Sequence, residues 1–552
     1  MHQPHYHDNT SGIYQLPWTY LHAIKDYIDM AAIIESVPGA RAVFNFAPTL
    51  IEQLDDYGKC IKAYLRSNQQ LPDPLLQALV NEKHPVSNRA RLKLITDALK
   101  ANRARLIDRF PAYRKLADIA VLAEHDPLMT PYLSDTFITD LLVWYHLAWI
   151  GETVRLESPL VAELMEKGHG FSLTERRQLL ALIGELINGI VPRYRKLAEA
   201  GAIELSVTPY AHPIVPLLLD FSTTLEAMPH AEMPLHGNYP GGLERSHWHF
   251  REGLKVFEQH FGFTPSGCWP SEGSVSDATV KMAEEYGFRW IASGETVLRN
   301  SMHHSQLPGD TPLHQRFRLC GTTISQFFRD DGFSDAIGFR YSNWDSHDAV
   351  GELIHNLHNI DALPGDRVVP IILDGENAWE YYPENGYHFL TQLYQRLVAD
   401  PRLELTTFSD CLDSEMTQEL THLVPGSWVY GTFSTWIGSK DKNRGWDLLC
   451  EAKNRFDSLV KSRVITSEKR YAIEKQLAIC EGSDWFWWFG DYNPSGSVAD
   501  FDRLYRLHLH KLYEMMGIAP PEELNVTISM GNRHATGDEP ATGGVMRQGK
   551  AS

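Results

Sequence analysis

Short apolar runs recur along the chain, each leaving a polar residue at its C-terminal end. They are Ala42–Phe46, Ile203–Val207, Gly267–Trp269, Phe288–Ala292, Thr323–Phe328, Val368–Leu373 and Leu403–Thr407. Their length and β-rich composition predict strands. Between several of them apolar residues fall at three- and four-residue spacing, as in Leu179–Leu197 and Ala278–Tyr286, which predicts amphipathic helices. Strands alternating with helices imply a mostly parallel sheet, open or closed. Gln315–Leu319 and Thr323–Phe328, joined by Cys320-Gly321-Thr322, read alternatively as a hairpin. Residues 51–135 and 139–200 are largely helical in pattern and too long for simple crossovers, so a helical insertion is expected at about 51–200. After about residue 415 the pattern is helical throughout, with Asn443–Arg463, Ser467–Ala478 and Asp500–Met516 amphipathic. This divides the chain into 1–415, a helical domain over 416–519, and a tail over 520–552. The tail is polar and rich in Gly and Thr, which predicts disorder.

Length agrees with this division, because 552 residues exceed one small core and suit a barrel-sized domain plus a second one. Charge narrows the function. The 51 basic residues against 70 acidic ones give a net charge of -19, a surface that repels phosphate backbones, so no nucleic-acid partner is expected. Six scattered cysteines without a C-x-x-C pair suggest neither a zinc knuckle nor a disulfide framework. No apolar span reaches about 18 residues, and residues 1–20 lack the order of a signal peptide. No membrane contact and a cytoplasmic location are expected. The 14 Trp and 23 Tyr suit a buried core and also a cleft that stacks flat rings on sugars.

Two segments carry candidate chemistry, Cys268-Trp269-Pro270-Ser271-Glu272-Gly273-Ser274 and Ile372-Leu373-Asp374-Gly375-Glu376-Asn377-Ala378-Trp379. Each sets a carboxylate at the end of an apolar run, where partial desolvation raises its pKa. Two such carboxyls across a cleft are what glycosidic cleavage needs, one attacking the anomeric carbon and one protonating the leaving oxygen. Singly, each is more often a helix cap or an ion-pair partner.

With further pieces in order, the sequence resembles glycoside hydrolase family 57, in its amylopullulanase and α-amylase group, over roughly residues 1 to 515. The pieces are His2-Gln3-Pro4, Ile203-Glu204-Leu205, Thr208-Pro209-Tyr210-Ala211-His212-Pro213, the Glu272 and Asp374 segments, Gly426-Ser427-Trp428 and Thr435-Trp436-Ile437-Gly438. The last is Glu481-Gly482-Ser483-Asp484-Trp485-Phe486-Trp487-Trp488. The resemblance implies an α/β fold, an incomplete (β/α)7 barrel with helical insertions, followed by an α-helical domain that completes the cleft. It implies retaining cleavage of α-glucans, with Glu272 as nucleophile and Asp374 as general acid/base. It places His2, Glu204, His212, Trp269, Trp379, Trp436, Asp484 and Trp485 around the sugar. Glu204 reads equally as a buried ion-pair partner, His212 as a core-lining residue, and the tryptophans, Trp487 included, as core. Arg329, Asp330 and Asp335 also match the group, with no role assigned.

No cofactor is required and no metal site is expected; a structural calcium has no EF-hand-like run behind it. The family's first segment reads His-x-His-Gln-Pro, whereas here Met1 directly precedes His2, so the first barrel strand is expected to be missing from this chain. Rival readings are a 4-α-glucanotransferase or branching enzyme of the same fold, a non-catalytic glucan-binding protein, and a metal-dependent deacetylase. Against the last, no two of the 25 histidines are spaced by four and there is no H-E-x-x-H.

Overall fold

A computed structural model describes residues 1–363, 367–413, 417–462 and 465–532. The chain begins with a small ribbon of β1 (His7–Asp8) and β2 (Ile13–Tyr14). The central sheet is built from β3 (Ala42–Phe46), β4 (Ile203–Val207), β5 (Gly267–Cys268), β6 (Trp290–Gly294), β7 (Arg316–Leu319), β8 (Ser325–Arg329) and β9 (Thr417–Leu420). Among the described residues its order is β3-β4-β5-β6-β8-β7-β9, and every pairing is parallel except β7 with β8. Apolar side chains face both ways along β6 and β8, which are buried throughout, as a parallel sheet covered on two faces requires.

The hairpin reading of β7 and β8 holds, with Phe317 opposite Gln326 and Arg318 opposite Ser325. Strand β9 lies where only helices were expected; its sequence, Thr-Gln-Glu-Leu, carries no alternation to betray it, and it is recruited by pairing with β7.

Two expected strands are absent from the ladder. Residues 368–373 run beside β8 with Asp330 N–H donating to the Pro370 carbonyl at 2.8 Å and Val368 N–H to His314 at 3.1 Å. Pro370 has no N–H to give, which interrupts any continuous ladder there. Residues 403–407 are likewise unladdered, and both segments line a cavity of about 840 Å³ that the edge of β3 faces from the other side. At the top of that edge Met1 pairs with β3 in parallel fashion. Its amino group donates to the Asn45 carbonyl at 2.8 Å and its carbonyl accepts from Ala47 N–H at 3.0 Å. Among the described residues the hydrogen-bonded ladder is therefore open, with β3 and β9 at its two ends.

The region from 48 to 199 is helical, from Pro48–Ser67 to the long helix Leu173–Glu199. The latter starts at a capping box in which the Ser172 hydroxyl and the Glu175 carboxylate satisfy each other's backbone N–H groups. Three helices dominate the C-terminal region: Lys440–Ser462, Ser467–Cys480 and Ser495–Met516. The stretch from Pro520 departs from the expectation of disorder as far as it is described. A 3-10 turn spans Glu522–Asn525, Leu524 is fully buried, and Asn532 pairs with Pro494. Residues 533–552 lie outside the described residues. All six cysteines are free, and no described helix is long and apolar enough to cross a membrane.

The C-terminal helices are fastened to the sheet region by a buried charge cluster. Glu481 is fully buried and accepts from Arg245 Nε and Nη2, both at 2.8 Å, from His249 Nε2 at 2.8 Å, and from the Tyr239 hydroxyl. Burial alone would raise its pKa, but the Arg245 guanidinium and His249 outweigh it and hold the carboxyl down at about 2. Because the folded value lies below the ordinary 4.5, this stabilisation is present above about pH 4.5 and is lost as pH falls towards 2. Glu481→Gln leaves the Arg245 charge buried and unpaired, so it should destabilise the protein by about 3–5 kcal/mol. Denaturant melts at pH 7 and pH 3 check this: the loss should be large at pH 7 and smaller at pH 3.

Candidate active site

Strand β5 ends in a tight 3-10 turn, Ser271–Gly273, and that turn carries Glu272. Glu272 has φ 57°, a left-handed conformation that a side chain with Cβ adopts at a cost of about 1–2 kcal/mol. It is held there from both ends. Trp428 N–H donates to the Glu272 carbonyl at 3.1 Å and Trp428 Nε1–H to its Oε2 at 3.0 Å. The Ser293 hydroxyl donates to the Gly273 carbonyl at 2.6 Å. Gly294 lets Trp428 come this close, since a Cβ there would lie 2.6 Å from the Trp428 Cα.

Asp374 ends the unladdered segment and lines the same cavity as Glu272, together with His2, His212, Trp269, Trp379 and Trp428. Asn377 Nδ2 donates to its Oδ2 at 2.6 Å. Both carboxyls are raised. Burial pushes Glu272 up to about 8, with the Asp374 charge adding to it. Burial pushes Asp374 up to about 6, with Glu376 the next contribution. Two raised carboxyls facing one cavity share protons, and their titration belongs to the pair.

His2 and Asp484 form an ion pair at 3.0 Å beside them. Burial alone would lower the His2 pKa, but Asp484, with Glu272 and Glu376 behind it, raises it. The His2 ring stacks on His212, centroids 3.7 Å apart and 16° between planes. His212 sits at φ 57° after Ala211, also at φ 57°. Its Nδ1 bonds the Ser483 hydroxyl at 2.9 Å and lies 3.8 Å from Glu272 Oε1. Burial, then the charge on His2, pushes its pKa well below the ordinary value, so His212 is the neutral member of the stack. Among the described residues, His2, His212 and Asp484 are the trio whose ligand atoms cluster within 4.8 Å. Stacked rings direct their in-plane lone pairs along nearly parallel planes, and His2 already spends Nε2 on Asp484. The arrangement serves an ion pair better than a metal.

Other expected contacts fall elsewhere. Glu204 lies near the N-terminal end of β4, at the other end of the strand from Thr208. Its carboxylate accepts from Trp290 Nε1 at 2.7 Å and from the Ser409 hydroxyl and N–H, at 2.6 and 3.0 Å. It ties β4 to β6 and to the loop at 409. Trp436 is fully buried against Trp487, and Trp485 is buried among Phe501, Tyr505 and His508. These are core contacts. Trp379 shows one edge to the cavity while packing on Tyr382 and Phe389. Trp269 is half-buried, set edge-on to Trp428 at 5.4 Å.

The profile of glycosyl hydrolase family 57 matches residues 1–424, most of the chain. The chain belongs to that family. As a family 57 member it is an enzyme of the glycoside hydrolase or glycosyl transferase kind. No curated protein matches it in sequence. Among solved structures it is similar to a family 57 branching enzyme from Thermococcus kodakaraensis, at 16% identity and TM-score 0.56, over 93% of this chain and 88% of that one. It is similar to a family 57-type branching enzyme from Pyrococcus horikoshii, at 14% identity and TM-score 0.54, over 96% and 95%. The third is the α-amylase AmyC from Thermotoga maritima, at 14% identity and TM-score 0.56, over 94% and 91%. At such identity the likeness concerns the fold.

Within this family 57 chain, reasoning from sequence passed over Trp428, Asn377 and Glu376, which touch or adjoin the two carboxyls. All three stand inside quoted segments. Their signal was proximity to Asp374 for two of them, and for Trp428 a Gly-Ser-Trp run with no charge to mark it.

Proposed function

We propose that the protein is a retaining glycoside hydrolase of α-glucans, of the α-amylase and amylopullulanase kind. The observation that carries this reading is a pair of cavity-lining carboxyls, Glu272 and Asp374, both raised above the ordinary range in a family 57 chain. One carries the proton while the other is ionised, which is the state that double displacement needs. Glu272 attacks the anomeric carbon as Asp374 passes its proton to the glycosidic oxygen, and the reducing-side glucan leaves. The reaction requires that proton on Asp374 and Glu272 ionised, and the charge on His2 and the Trp428 N–H favour the ionised form of Glu272. Asp374, now ionised, takes a proton from water, which attacks the glycosyl–Glu272 ester and restores both groups. His2, held by Asp484 and stacked on neutral His212, presents a cation beside the sugar. Trp269 and Trp379 line the cavity beside the glucan. On this reading residues 1–415 are the barrel-type catalytic domain, and the helices of 416–519 complete the cleft by presenting Asp484.

A transferase shares the same intermediate and differs in letting a sugar hydroxyl intercept it. Two of the similar structures named above are branching enzymes, which keeps this second reading in view. Digestion of amylose, pullulan and maltotriose separates them. Hydrolysis should release reducing ends from amylose in step with substrate loss, and pullulan cleavage would add α-1,6 activity. Longer oligosaccharides together with glucose from maltotriose would show a transferase instead.

A further inference from the structure

We propose that Glu376 is a positioning residue for Asp374, pinning the N-terminal His2–Gln3 segment against the Asp374 turn and setting a fixed negative charge beside the acid/base. The inference rests on the reading of Asp374 as the proton donor. Glu376 is buried, and its Oε1 accepts the His2 backbone N–H at 3.0 Å and Gln3 Nε2 at 3.4 Å. Gln3 is itself buried and accepts from the Tyr6 hydroxyl at 3.0 Å. Tyr6 N–H in turn donates to Gln53, whose Nε2 donates to the Pro4 carbonyl. The first residues of the chain are thus threaded onto the turn that carries Asp374, which sets where His2 stands.

The clamp by itself does not call for a charge. A glutamine would accept the same two bonds through one oxygen. Yet Glu376 keeps a second oxygen, Oε2, buried and without a hydrogen-bond partner among the described residues. Burying a half-partnered carboxylate is costly, so its presence asks for a compensating use. Two residues away is Asp374, and of the charges around it Glu376 acts most strongly to favour the protonated form. The other groups facing Asp374 are the Met1 amino group, His2 and the Asn377 amide, which favour ionisation, and Glu272, whose own carboxyl the Asp374 charge raises. Glu376 sets the balance against the cations and the amide.

The test is the pH profile of kcat/KM for amylose in wild type and Glu376→Gln, which retains the acceptor and the size but not the charge. The basic limb, where the pair loses its last proton, should move to lower pH by about half a unit or more. A limb that coincides with wild type, whatever the change in kcat, would overturn the proposal, since a clamp alone moves the rate and not the limb. A second measurement reads the carboxyl itself. In the Glu272→Ala background the Asp374 carboxyl, followed by ¹³C NMR of labelled aspartate, should titrate at lower pH once Glu376→Gln is added. Unchanged titration on adding Glu376→Gln would overturn the proposal too. Failure of the underlying reading looks different: Asp374→Ala would then keep the wild-type basic limb.

Discussion

Glu272→Ala should lower kcat on amylose by about 10⁴-fold or more, the scale seen when a nucleophile is removed from a covalent mechanism. The structure supports so large an effect because the groups beside Glu272 are otherwise engaged. His212 is neutral and committed to Ser483, and Asp374 is needed for the proton. Folding should survive, since alanine keeps a Cβ and meets the φ 57° backbone at a similar cost, although the Trp428 Nε1 partner is lost. The control is added azide. A small anion can enter the space the carboxyl leaves, so azide should restore turnover of an activated α-glucosyl fluoride and give the azide of inverted configuration.

Asp374→Ala has the second largest expected effect, about 10²–10⁴-fold in kcat/KM for amylose, the usual contribution of general acid catalysis. Glucosyl fluoride, whose leaving group needs no proton, should lose far less in the step that forms the intermediate. The pH profile gives a sharper reading. Both carboxyls are raised and the singly protonated form of the pair is the active one, so wild-type activity should peak above the ordinary carboxylate range and fall on either side. As pH falls a second proton blocks attack by Glu272; as pH rises the acid is gone. Asp374→Ala should lose the basic limb, because the remaining carboxyl is required only in its ionised form. Rates from pH 4 to pH 10 check both statements.

The strands that the hydrophobic pattern revealed are those with strong apolar runs and neighbours to pair with, such as Ile203–Val207 and Ser325–Arg329. Thr417–Leu420 escaped because a four-residue polar edge strand carries no periodic signal; its pairing with β7 is a tertiary fact. Residues 368–373 carried the signal without the ladder: the run is apolar, yet all of it but Pro370 is only half-buried along the cavity, and a strand pattern does not report the presence of a neighbour. In the site, Glu272 and Asp374 were legible as carboxylates closing apolar runs. Glu204 attracted notice because its segment matched the family; its bonds to Trp290 and Ser409 are long-range and were not legible. The tryptophans of 485–488 were too densely apolar to divide between cleft and core by sequence, and their burial resolves them as core. Glu376 and Trp428 depend on contacts across hundreds of residues, which no local pattern encodes.

The central claim is that Glu272 forms a covalent bond to the sugar. A fluorinated α-glucosyl fluoride tests it most directly, because the good leaving group forms the intermediate and the ring fluorine slows its hydrolysis. Mass spectrometry of the digested protein should then find one fluoroglucosyl group, on the peptide that contains Glu272. A label on any other residue, or none while the protein turns over amylose, would contradict it.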